Sequence, residues 1–452
     1  MTTPRTVCDS LILLAMSWTT ALGEAVQDQP FPQVPPSGPA YVGPGHHGTP
    51  VSPDENGRIV VAGGEFDALN VTMLSWLTLT ELDPAGDGVN DCWGYVSPGG
   101  VEYAIVGTES STSFVRLSDP LNPVVVGQVS DAFSTWSDIK VYGEYAYNVN
   151  ETSANGIQVI SLVDIDSDVI GPVSEVHANG INEAHNIVIN TDSGFAYAVG
   201  WNNSGGLAAY DLGADPVNPP YVGGWSDQYV HDAQVVNYTS GPWAGKEIAF
   251  CFCTGAGLFI VDVTDKGAMA TISSTGYPLL AICHQGWTED KQYLYVNDEG
   301  DETNAGITTR TLIFDISDLN APTLVNTVTT GLDSIDHNLY VRESVIYESN
   351  YTSGLQVYLA EDPEAPVLSG FFDSHPEDNA THFDGTWSNY PFLPSGIVLL
   401  SDRTRGLFVL DVDVQLPGID IPTVSQWGLV ILTLLLLTAG TLVAARRRSV
   451  AA

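Results

Sequence analysis

The sequence predicts an all-β fold, a seven-bladed β-propeller, lying between two ends of different character. Three observations predict it. A glycine or small residue leading an apolar run recurs seven times, and six of the copies carry Asp at or near their end. A second, strand-like phrase precedes each copy, at successive steps of 45, 47, 46, 53, 53 and 47 residues. Between the two ends no stretch sustains an apolar period of about 3.6 residues, the helical signal. Repeats of roughly 40–50 residues with several short strands each are the mark of propeller blades. A β-sandwich array is the alternative, but sandwiches lack a repeat at this period.

Taken in order, residues 1–25 carry Arg5, then an apolar run over 10–23 and the small residues Ala21 and Gly23. This pattern reads as a secretory signal peptide. Residues 26–63 form a lead-in rich in Pro and Gly, extended as far as residue 57. The repeats occupy 64–413. The first phrase stands at 112–120, 156–164, 206–211, 257–265, 311–318, 354–358 and 406–411. The second opens at Trp93, Asp138, His185, His231, His284, His337 and Asp384. A third strand lies between them, as at Tyr145, Phe195 and Tyr293. The β-like segment 68–76 precedes the first full unit and is expected to complete the blade that holds 406–411, hiding an open strand edge. Residues 414–427 read as a linker. An uncharged stretch over 428–445 then precedes Arg446, Arg447 and Arg448. Eighteen such residues suffice to span a bilayer as a helix, and the arginines are expected to stay cytoplasmic.

The composition limits the partners. The chain has 14 Lys and Arg against 54 Asp and Glu, a formal charge of −40. A phosphate backbone needs a basic face, so nucleic acid is excluded as a partner. Contact with membrane is expected only through the C-terminal helix. Four cysteines remain after the signal, Cys92, Cys251, Cys253 and Cys283. Two outcomes stay open for them: a bridge from Cys251 or Cys253 to Cys283, or buried free thiols. Cys251 and Cys253 point to one face of a strand, which suits no mutual bridge.

Chemistry is expected at the innermost strands, which line the channel. Blades related by rotation place equivalent positions at equal radius, so Asp138, His185, His231, His284, His337 and Asp384 should converge on one rim. Imidazole with carboxylate suits zinc, manganese or iron. Such a ring is equally read as polar lining that hydrogen-bonds water and loop backbone. His382 is an alternative ring member to Asp384. His46, His47, His177 and His375 lie outside the repeats and are expected in exposed loops. Asp298, Glu299, Asp301 and Glu302 form an acidic run with oxygen ligands for calcium, and a second acidic run lies at 83–91. Both are also read as solvated acidic loops. No Gly-x-Ser-x-Gly elbow, phosphate loop or dinucleotide fingerprint occurs.

The phrase at 257–265 and its copies resemble the LVIVD repeat of bacterial surface proteins. Longer strings are similar to the choice-of-anchor B family: 183–187, 231–235 with 245–250, 284–287, 336–340, 351–355 and 394–397. Ile421, Pro422, Thr423, Trp427 and Gly428, ahead of the apolar span, resemble the IPTL-CTERM sorting signal. Val424 and Gln426 depart from it, standing where Leu and Glu are commoner. The resemblance implies an exported protein at the cell envelope or surface, with envelope sorting machinery as a partner and a tail subject to processing. It implies no established reaction. Two functions stand ahead of a third, a purely architectural role in an envelope layer. One is a non-catalytic binding or display module for an extracellular protein, glycan or mineral. The other is a metal-dependent, hydrolase-like enzyme built on the histidines, with zinc, manganese or calcium as the divalent ion. No nucleophile pairs with a base, which favours the first.

Overall fold

A computed structural model describes residues 38–414, apart from 86–87, 153–154 and 204. The signal peptide, sorting motif, apolar span and arginine cluster expected from the sequence lie outside the described residues. Among the described residues no helix is long and apolar enough to cross a membrane.

Seven antiparallel sheets form the seven blades. Their innermost strands are Val89–Val96, Ser137–Tyr142, Asn186–Asn190, Asp232–Tyr238, Cys283–Trp287, Leu339–Arg342 and Thr386–Tyr390, taken here as blades 1 to 7. Each of these strands packs against the next in cyclic order, and the seventh packs against the first. The seven copies of the first phrase are the third strands of the blades. Each third strand lies inside its sheet with sheets on either side. That is why it reads Leu-Phe-Ile-Val rather than alternating apolar and polar. Its closing Asp then gathers turn amides: Asp262 accepts the Thr264 N–H at 3.0 Å, and Asp315 the Ser317 N–H at 2.9 Å.

The glycine leading the phrase has a steric cause. Gly257 and Gly354 sit at φ of +85° and +72°. A Cβ there would come within 2.6 Å of the Thr275 carbonyl oxygen and 2.1 Å of that of Phe372. Both carbonyls end the fourth strand of the same blade, so only glycine lets the third strand turn in beneath it.

The ring closes as expected, with one refinement. Val71–Leu77 is the outermost strand of blade 7 and pairs with Gly406–Val412. Residues 68 and 69 instead belong to Gly64–Leu69, which pairs with Val367–Phe372 of blade 6. Asn70, at φ of +54°, turns the chain from one blade to the other. The strand Arg58–Val61 pairs with Gly64–Leu69 and gives blade 6 six strands, so the sheet begins within the lead-in. Before it, the lead-in touches the closing strand through the bridges His46–Trp76 and Val51–Met73.

The core is divided among the seams between blades. At the closing seam Trp76 stacks on Phe408 with centroids 5.2 Å apart, and Phe66 meets both rings edge-on. The Trp76 indole N–H donates to the Arg405 carbonyl at 2.7 Å. All four cysteines are buried free thiols, so the bridge to Cys283 does not form.

Candidate metal centre at the channel mouth

Because the blades are related by rotation, the first residues of the inner strands meet at one mouth and the last at the other. His185 and His231 immediately precede their strands, His284 is second in its strand, and His337 lies two residues ahead. The four imidazoles converge as the repeat predicts. Ring centroids are 3.9 Å apart for His185 and His231, 4.6 Å for His231 and His284, and 4.4 Å for His284 and His337. All four residues are at most 4 % exposed.

Two of the rings are oriented from behind. His185 Nδ1 lies 2.6 Å from Glu151 Oε1, and His337 Nδ1 donates to the Trp387 carbonyl at 2.5 Å. In each case Nε2 is turned toward the other rings, the arrangement in which an outer acceptor fixes the tautomer of a ligand imidazole. Nε2 of His185 and Nε2 of His231 are 3.0 Å apart. Glu299 completes the group, with Oε2 3.5 Å from His284 Nε2 and Oε1 3.8 Å from His337 Nε2. The Tyr351 hydroxyl donates to Oε1 at 2.7 Å and holds the carboxylate in place. Ligand atoms of His231, His284 and Glu299 all lie within 4.8 Å of one another. Two ligand atoms ~2.1 Å from one ion stand roughly 3.0–3.4 Å apart between right-angle and tetrahedral geometry, close to the 3.0 and 3.5 Å found here.

The electrostatics suit a cation. Burial, reinforced by the neighbouring rings, holds His231 and His284 well below the usual imidazole range, and burial takes His337 down to about 3. These three are neutral at physiological pH, as metal ligands must be. For His185 burial acts downward, but the Glu151 carboxylate outweighs it and the net shift is upward. Burial pushes Glu299 up to about 7.

Below the rings lies a cavity of about 10 Å³ bounded by Asp91, Asp138, His185, His284 and His337. That is room for about one water. Asp138 does face the axis, but it is engaged: Lys140 pairs with it and with Asp91, and its carboxylate accepts the Ile187 N–H at 2.7 Å. Asp384 is not brought into the ring. It accepts the Gly38 N–H at 3.0 Å and lies 3.4 Å from His382 Nδ1. His382 itself groups with His375 and Asp378 in a separate cluster. His375 is buried at 7 % exposure, against the expectation of an exposed loop.

The acidic run separates rather than converging. Asp298 accepts the Tyr277 hydroxyl and the amides of Ala281 and Ile282. Asp301 pairs with Arg310, and Glu299 turns to the histidines. Glu302 lies buried beside Asp301, and burial raises it to about 9. In the earlier run, Asp83 takes the hydroxyls of Thr108 and Ser111, and Asp91 takes Lys140.

Glu151 and Glu299 went unassigned to the ring in the sequence, although a signal exists. Each immediately follows the second strand of its blade, after Tyr145–Asn150 and Tyr293–Asp298. Tyr351 follows Val345–Asn350 in the same way.

Blade 5 is similar to a known repeat. A family model for the LVIVD repeat matches residues 292–330, a span that holds the second, third and fourth strands of that blade. A comparison with curated proteins gives no match.

Proposed function

We propose that this chain is an exported propeller, anchored at the cell surface by its C-terminal segment, that acts as a binding or display module and carries a divalent transition metal at its histidine mouth. The convergence of His185, His231, His284 and His337 with Glu299, two of the rings being oriented by outer acceptors, is the observation that carries the metal reading. The donor set of neutral imidazoles with one carboxylate favours zinc or manganese over calcium, which takes six to eight oxygens. Burial of the rings and the one-water cavity beneath them leave no room for an organic substrate, which supports a binding role over hydrolysis. The LVIVD match fits a surface propeller. The resemblance of 421–428 to the IPTL-CTERM signal, and of the longer strings to the choice-of-anchor B family, supports export and anchoring.

Thermal melting of the purified full-length chain, stripped with chelator, tests the metal. Zinc or manganese should raise the melting temperature, by mass action worth about 2.7 kcal/mol at a hundredfold excess over the dissociation constant. Calcium should not, and a His231→Ala, His284→Ala double variant should lose the response. If no ion shifts the wild type, or the double variant responds equally, the ring is lining only.

A further inference from the structure

The opposite mouth of the channel holds a cavity of about 550 Å³ where the inner strands end. That is within the range of small-molecule sites. Its wall is aromatic: Trp93, Trp287, Tyr340, Tyr390 and Phe392 pack against one another. Trp93 meets Tyr390 edge-on at 4.7 Å between centroids, Trp287 meets Tyr340 at 5.1 Å, and Tyr390 meets Phe392 at 5.4 Å. Five rings lining one open cavity, rather than filling it, form a surface for a ligand with an apolar body.

The charges name the ligand's head. Two ammonium groups, Lys140 and Lys291, and three carboxylates, Asp192, Asp232 and Glu289, line the cavity. Lys140 is taken up by Asp91 and Asp138, and its Nζ sits 4.5 Å above the Trp93 ring, so this wall already stabilises one cation. Asp192 is exposed, and Asp232 is half-buried. Among the described residues the one hydrogen bond it accepts comes from the adjacent Ala233 N–H, at 2.7 Å. At the rim Glu289 is committed to the backbone N–H groups of Glu343 and Ser344. A cation with an apolar body, seated against ring faces with its charge toward Asp232, satisfies both features.

We propose that this second mouth binds an organic ammonium ion, with Asp232 as its counter-charge and Trp93, Trp287, Tyr340, Tyr390 and Phe392 as its walls. None of the four ring histidines lines this cavity, although Asp232 directly follows His231.

Isothermal titration of the full-length chain, with chelator present so that the histidine mouth plays no part, tests it with four probes: choline, n-butylammonium, n-butyrate and methyl glucoside. The two ammonium ions should bind and the carboxylate and sugar should not. Asp232→Asn should weaken choline at least about tenfold, since it removes the counter-charge of a desolvated cation. Trp287→Ala should weaken it about tenfold through the lost ring face. The second variant lies at the rim, so the test survives if the first does not fold. Absence of ammonium binding at millimolar concentration, equal binding of the sugar or butyrate, or unchanged affinity in the folded variants would overturn the proposal.

Discussion

His231, His284 and His337 show what burial does to an imidazole beside other imidazoles. Each has a partner that would repel its charge, and none has the solvent to screen it. The consequence for stability has a definite sign. A group whose folded pKa is depressed contributes stability that is present above its unfolded value, here about 6.5, and lost as pH falls. The metal-free chain should therefore weaken between pH 6.5 and 5. Each imidazole that stays neutral in the folded state costs about 2 kcal/mol at pH 5. A His231→Gln, His284→Gln variant should flatten that loss. The check is urea unfolding at pH 7 and pH 5, and an equal loss in wild type and variant would contradict it. His185 behaves in the opposite way because Glu151 supplies a counter-charge. The residue after the second strand of a blade thus tunes the histidine ring, and its position was the one signal for it in the sequence. Glu299 stood inside an acidic run that reads as a solvated or calcium-binding loop, and only the fold separates it from Asp298 and Asp301.

At the scale of elements, the strand that closes the ring carries most weight. Val71–Leu77 comes from the start of the propeller and pairs with its last strand, so the seam between blades 6 and 7 depends on residues far apart in sequence. Trp76 fills that seam against Phe66 and Phe408 with no exposure. Trp76→Ala should cost about 3–5 kcal/mol through lost burial and the cavity left behind. Chemical denaturation measures it; a loss under 1 kcal/mol, on the order of a surface substitution, would show that the closure is held elsewhere. This pairing was legible because 68–76 reads as a strand that lacks its own repeat unit. The hairpin extending blade 6 was not. Arg58–Val61 and Gly64–Leu69 carry no copy of either phrase, and the turn at Asn70 that divides 68–69 from the closing strand depends on a left-handed conformation the sequence only permits.

At the scale of the molecule, rotational repetition turns seven equivalent positions into a ring, and that is why so much was legible. The seven third strands, the seven inner strands and the convergence of four histidines all follow from spacing. What spacing does not give is which equivalent residues remain free to act. Asp138 reached the axis but is bound to Lys140, and Asp384 turned to Gly38 and His382. The aromatic mouth was legible only in fragments, because Trp93 and Trp287 marked strands without showing that five rings from four blades share one cavity. The channel emerges as three layers: four imidazoles at one mouth, a charged layer of Asp91, Asp138 and Lys140, and an aromatic cavity at the other. The proposed metal at the first layer is the central claim. X-ray absorption at the zinc edge of the zinc-loaded full-length chain tests it most directly. The account predicts a nitrogen-dominated first shell at ~2.0–2.1 Å with the outer scattering of imidazole rings. An all-oxygen shell, or zinc that dialyses away without reaching one equivalent, would contradict it.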